Sequence, residues 1–267
     1  MMNVKSNKES NNHGRLSPKL AFLLVSLALG QLGDGLNIFQ GIYLVGIGWK
    51  EGAVGTALSL MGLTALLIQP FAGDWVDKTT VDRRVFLAVA AAFTALSAST
   101  IMIVGNGRPA DHVLMYATKI VEGATASFLG PCLAALTLAT FGPAGFDAVM
   151  ASNILWGHVG SVAAAVLAGI VSYAMYPAIQ SCFAVIGASA VVAIFLVPCL
   201  PMGNAAMGRG FADKAEPNEH SNDYEQGEST AFVPKEQNDE EPQAVPYSEI
   251  LAETKVIILC CAGFFFQ

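Results

Sequence analysis

Six long apolar runs follow one another through residues 20–200, and they restrict the fold more than any other feature of the chain. They extend approximately from Leu20 to Val45, Ala53 to Ala72, Val85 to Val104, His112 to Phe141, Val149 to Met175 and Ala178 to Leu200, with short Gly, Pro or charged connections between them. The hydrocarbon core of a bilayer is about 30 Å thick, and a helix crosses it in roughly 20 residues. Within it every backbone polar group has to be paired, which leaves helices as the answer for runs of this length. Composition agrees: 54% of the 267 residues are hydrophobic and 13% are charged, more apolar surface than a water-soluble domain of this size buries. The expected fold class is an all-α membrane protein. Lys5, Lys8, Arg15 and Lys19 precede the first run as they would in a signal peptide, but the run is too long and lacks a convincing cleavage site, so it reads as a retained helix.

Lys and Arg divide unevenly between the two sets of loops. With the N-terminus inside, the inner segments hold Lys78, Arg83, Arg84, Arg209, Lys214, Lys235 and Lys255 as well as the leader, whereas the outer loops hold Lys50 and Arg108. Positive loops stay on the cytoplasmic side, so residues 1–19 are expected to be a cytoplasmic tail and 20–200 a six-helix transmembrane bundle. Residues 201–249 are rich in Gly, Pro, Asn, Asp and Glu, a composition that buries no core and reads as an acidic, disordered cytoplasmic loop. Apolar residues resume at Val256, and from there to Gln267 a helix rises only about 18 Å. Residues 250–267 are therefore expected to be the truncated start of a seventh helix. The five cysteines lie in apolar segments without C-x-x-C spacing, which indicates neither a disulfide framework nor a metal site.

Charge inside a span is costly and marks functional candidates. Asp34 in the first run, Lys119 and Glu122 in the fourth and His158 in the fifth are such groups. Counting about 1.5 Å per residue puts Asp34 and Lys119 at similar depth, where they could pair. Lys119 and Glu122, three residues apart, share a helix face and could instead neutralise each other. A buried carboxylate beside a movable cation can take and release a proton, a coupling chemistry; a purely structural pair is the alternative. Asn37, Gln40, Asn153 and His158 are candidate lining residues of a solute path. Small residues predict helix packing: Ser161, Ala165 and Gly169 on the fifth run, Ala91, Ala95 and Ser99 on the third, Gly123 and Ser127 on the fourth. Gly30, Gly33 and Gly35 weaken the middle of the first run, and Gly130 with Pro131 interrupts the fourth.

The connection after the second run reads GDWVDKTTVDRR, Gly73 to Arg84. A Gly, an Asp four residues on and then basic residues resemble the loop signature of the major facilitator superfamily, with Gly73, Asp77 and Lys78 in register and Arg83 and Arg84 about two residues late. KIVEGA, Lys119 to Ala124, is similar to the family's Arg-x-x-x-Gly motif with Lys in place of Arg. Lys is a point charge that cannot make the bidentate fork of Arg. The resemblance implies the N-terminal six-helix bundle of a major-facilitator-type fold plus the start of a seventh helix. It also implies a gating role for Gly73, Asp77, Lys78, Arg83 and Arg84. The expected function is secondary active transport of a small organic solute by alternating access, coupled to protons, in a plasma membrane with the N-terminus cytoplasmic. The expected partners are the solute, protons, the lipid bilayer and a missing C-terminal six-helix half. No cofactor, metal, nucleic acid or enzymatic activity is expected, since no H-E-x-x-H or G-x-S-x-G constellation occurs in the spans. The rival reading is a non-transporting interaction protein or pseudogene-like half-transporter.

Overall fold

The computed structural model describes residues 16–30, 32, 36–105 and 107–204, the side chain of Ile38 excepted. They belong to one unit, Met1–Asp213, and the second unit, Lys214–Gln267, lies outside the described residues. So do Asp34, most of the expected N-terminal tail, the expected acidic loop beyond residue 204 and the expected seventh helix.

Among the described residues each apolar run is helical. The elements are α1 (Pro18–Leu29), α2 (Asn37–Gly46), α3 (Glu51–Lys78), α4 (Arg83–Ser99), α5 (Pro109–Ala126), α6 (Leu129–Ala174) and α7 (Ala184–Leu196). Short 3-10 turns at Thr100–Met102 and Val197–Cys199 extend α4 and α7, and a 3-10 segment at Ile179–Phe183 leads into α7. The first run is two helices rather than one. Ser17 starts α1 by accepting a hydrogen bond from the Leu20 amide, with Pro18 following where no N–H is needed. At 12 and 10 residues the two pieces rise about 18 and 15 Å, so only together do they reach across a bilayer.

The fourth and fifth runs form a hairpin inside α6. Gly142 has φ 67° and ψ 177°, a conformation that is essentially glycine's alone, and Pro143 follows it. The fold-back is fixed by chemistry: Asn153 Nδ2 donates to Thr137 Oγ1 at 3.2 Å, although sixteen residues of straight helix would hold them about 24 Å apart. The fifth span therefore begins at Pro143, earlier than its apolar run suggested. In the fourth, the break falls at Ser127 and Phe128, between α5 and α6, and not at Pro131. Restarting the helix at Leu129 puts Pro131 in its first turn, where a missing N–H costs nothing.

Backbones approach closely where glycine allows it. A Cβ on Gly160 would lie 2.0 Å from the Leu27 carbonyl oxygen, one on Gly30 would lie 1.9 Å from that of Gly157, and one on Gly123 would lie 2.3 Å from that of Met61. Ser161 Oγ adds a 2.6 Å bond to the Gly30 carbonyl. These contacts clamp α1 to the second half of α6 and α3 to α5. The expected stripe on the fifth run is corrected in part: Ser161 does bridge to α1, but Gly169 is exposed with open space around it. The packed face is Gly157, Gly160, Ala164 and Ala168. Ala91 and Ala95 are buried as expected, and α4 is joined to α5 by hydroxyl pairs, Thr94 with Thr125 at 2.8 Å and Thr100 with Thr118 at 3.1 Å. Large apolar side chains such as Phe71, Leu96, Val162 and Phe195 point outward, as lipid-facing helices require.

Candidate functional site

Two structural facts bring a buried charge cluster together. On α5, Lys119 and Glu122 stand one turn apart, and α2 lays Gln40 beside them. Lys119 Nζ donates to Glu122 Oε2 at 2.7 Å and to the Gln40 side-chain oxygen, with the Met61 sulfur of α3 at 3.9 Å. Lys119 is 1% exposed and Glu122 3%. The three ammonium protons thus meet a carboxylate, an amide oxygen and a soft thioether. A charge this deep persists only because each donor is directed at a partner. Lys119 sits about 15 Å along α5 from Pro109, near the middle of the span.

The four path candidates separate. Gln40 belongs to the Lys119 cluster, with Asn37 half-buried one turn before it on α2. Asn153 is buried in the hairpin against Thr137. His158 is exposed on the second half of α6. The spacing of Lys119 and Glu122 signalled their pairing; Met61 carried no signal, because a methionine in an apolar run is indistinguishable from core.

The connection between α3 and α4 is held at several points. Lys78 pairs with Asp74 one turn back at 2.7 Å, largely in solvent. Gly73 is half-buried and Asp77 exposed. Arg83 is buried, its Nε donating to the Val76 carbonyl at 3.3 Å. Arg84 grips Asp82 through Nε and Nη2 at 2.9 and 2.7 Å and reaches the Leu200 carbonyl through Nη1 at 3.1 Å. Asp82 also caps α4 by accepting from the Arg84 amide at 2.9 Å. The two late arginines therefore tie the connection to the ends of α3 and α7.

The hydrogen bonds from Arg84 hold the Asp82 carboxyl below the usual carboxylate range, against the opposing effect of partial burial. Because the folded value is lower than the unfolded one, this contribution to stability is fully present above about pH 4 and is lost as pH falls through the folded value. Asp82→Asn, which keeps a capping oxygen, is expected to lower the melting temperature by a constant amount above pH 5. Wild type and variant should converge in more acidic buffer; a gap that stays constant down to pH 2.5 would contradict the assignment.

The sequence profile of the Major Facilitator Superfamily matches residues 20–267. The chain belongs to the major facilitator superfamily. It is 30% identical over 179 residues, 67% of its length, to MFS-type transporters from two strains of Mycobacterium tuberculosis, and it spans 41% of the length of each. No solved structure matches it. Superfamily membership and the run of apolar helices together make the chain a multi-pass integral membrane protein of all-α fold.

Proposed function

We propose that this bundle is one half of a secondary active transporter that moves a small organic solute by alternating access, coupled to protons through the Lys119–Glu122 pair. The reading rests above all on that fully buried ion pair at mid-span, shared with Gln40 on a half-helix. It is supported by a family of transporters rather than enzymes and by relatives called MFS-type transporters. Because those relatives are more than twice as long as the matched stretch, the activity is proposed for a molecule in which this bundle faces a second helical half.

In the resting pair the ammonium and the carboxylate are each other's counter-charge at 2.7 Å. When the lysine is drawn toward an incoming solute, Glu122 keeps its burial but loses its counter-charge, which favours proton uptake. Return of Lys119 expels that proton. Asp34 is a further candidate partner for the ammonium, and Asn37, Gln40, Asn153 and His158 are candidates for contact with solute. The Gly73 to Arg84 connection would latch one conformation from the side that the excess of Lys and Arg marks as cytoplasmic. The same charge asymmetry supports an N-terminus inside, and a plasma-membrane location is part of the same proposal.

The test is proton flux into proteoliposomes of the natural protein, read with an entrapped pH dye on adding a panel of sugars, organic cations and carboxylates. Wild type is expected to respond to at least one member. Glu122→Gln and Lys119→Ala should lose the solute-driven flux, about 100-fold or more, while Glu122→Gln still exchanges solute across the membrane. Unchanged proton coupling in both variants would refute the mechanism. Asp34→Asn reports whether that carboxylate shares the role.

A further inference from the structure

A cavity of about 320 Å³ lies between α2, the end of α6 and the connection into α7, apart from the charge cluster. Its apolar wall includes Phe39, Ile42, Ile47 and Ile179, and its polar groups include Tyr43, Ser172 and Gln180. Its volume falls in the range of small-ligand sites, which combine an apolar lining with a few placed polar groups. Three observations define the occupant. None of the lining residues is Asp, Glu, Lys, Arg or His, so a charged ligand would enter without a counter-ion. The Tyr43 ring is fixed edge-on against Phe183, centroids 5.4 Å apart, while neither its hydroxyl nor the Gln180 amide is engaged by a hydrogen bond among the described residues. Tyr173 and Tyr176, next to Ser172, are 90% and 77% exposed, the placement of tyrosines at a membrane–water boundary.

We infer that this cavity binds an uncharged, hydroxyl-bearing lipid, its apolar body against α2 and its hydroxyl at headgroup level on Tyr43 and Gln180. An acyl glycerol and a sterol share that chemistry. Gly46 gives a direct way to close the site, because a Cβ there meets nothing within 4 Å. Gly46→Leu then fills space without pressing on backbone, and Tyr43→Phe removes the hydroxyl alone.

The experiment is photolabelling of the full chain in phosphatidylcholine nanodiscs with a diazirine monoacylglycerol, a diazirine sterol and, as the charged control, a diazirine fatty acid, with labelled peptides mapped by mass spectrometry. Either neutral probe should concentrate on residues 39–47 and 177–182, and which of the two does so identifies the lipid. Labelling there is expected to fall about tenfold in Gly46→Leu and about fivefold in Tyr43→Phe, the latter the share of one hydrogen bond. Tyr43→Phe keeps the ring and serves if Gly46→Leu does not fold. Labelling spread along all lipid-facing spans, equal labelling by the fatty acid, or wild-type labelling in Tyr43→Phe would overturn the proposal.

Discussion

Glu122→Ala is expected to destabilise the bundle by about 3–5 kcal/mol, the cost of leaving one member of a buried ion pair without the other. The ammonium of Lys119 would keep Gln40 and the Met61 sulfur as partners, neither of which carries charge. Lys119→Met combined with Glu122→Leu removes both charges and should recover most of that loss, since a buried pair adds little net stability over an apolar replacement of similar volume. Transport and stability thereby come apart. The double variant should fold nearly as well as wild type and carry no coupled flux, whereas Glu122→Ala should lose both stability and coupled flux. Unfolding in a detergent of graded denaturing strength measures the difference. A Glu122→Ala variant within about 1 kcal/mol of wild type would mean that the pair is more hydrated than its 1% and 3% exposures indicate.

Gly160→Leu should prevent assembly, or cost more than about 4 kcal/mol where protein is recovered. Its new Cβ would overlap the Leu27 carbonyl, and that atom belongs to the backbone of α1, which cannot rotate away as a side chain would. The clamp between α1 and the second half of α6 is also where Gly30 and Ser161 meet, so separating the helices loses several contacts at once. Gly169→Leu is the matched control on the same helix. It faces open space and should leave the yield of monodisperse protein and the melting temperature within experimental error. Leu is the better helix former of the two residues, so equal loss in both variants would show that added bulk anywhere on this helix, and not close approach to α1, governs the effect.

Gly160 and Gly169 also show where sequence reasoning stopped. Small residues every fourth position signalled that the fifth run packs against a neighbour, but Ser161, Ala165 and Gly169 form one such stripe and Gly160, Ala164 and Ala168, the packed one, another. Choosing between adjacent stripes needs the position of α1. Likewise, Lys119 and Glu122 were legible as a pair because residues three apart share a face. That the third member is Gln40 was not, because Gln40 lies seventy-nine positions away and reaches the pair only through the placement of α2.

What the sequence determined by itself was the number and rough limits of the apolar runs, the uneven distribution of Lys and Arg, the loop motif at Gly73 to Lys78 and the superfamily they resemble. These are properties of local composition and short spacing, and a bilayer forces each long apolar run to become a helix. Only the tertiary structure decided that α1 and α2 are separate, that Gly142 turns the fourth run back on the fifth, and that Arg84 reaches the Leu200 carbonyl. The last is a contact between residues 116 positions apart, and the Gly142 turn is held by the Asn153–Thr137 bond across the hairpin. Helix packing in lipid is driven by close fit and hydrogen bonds between particular neighbours, and hydrophobic pattern alone does not name the neighbour.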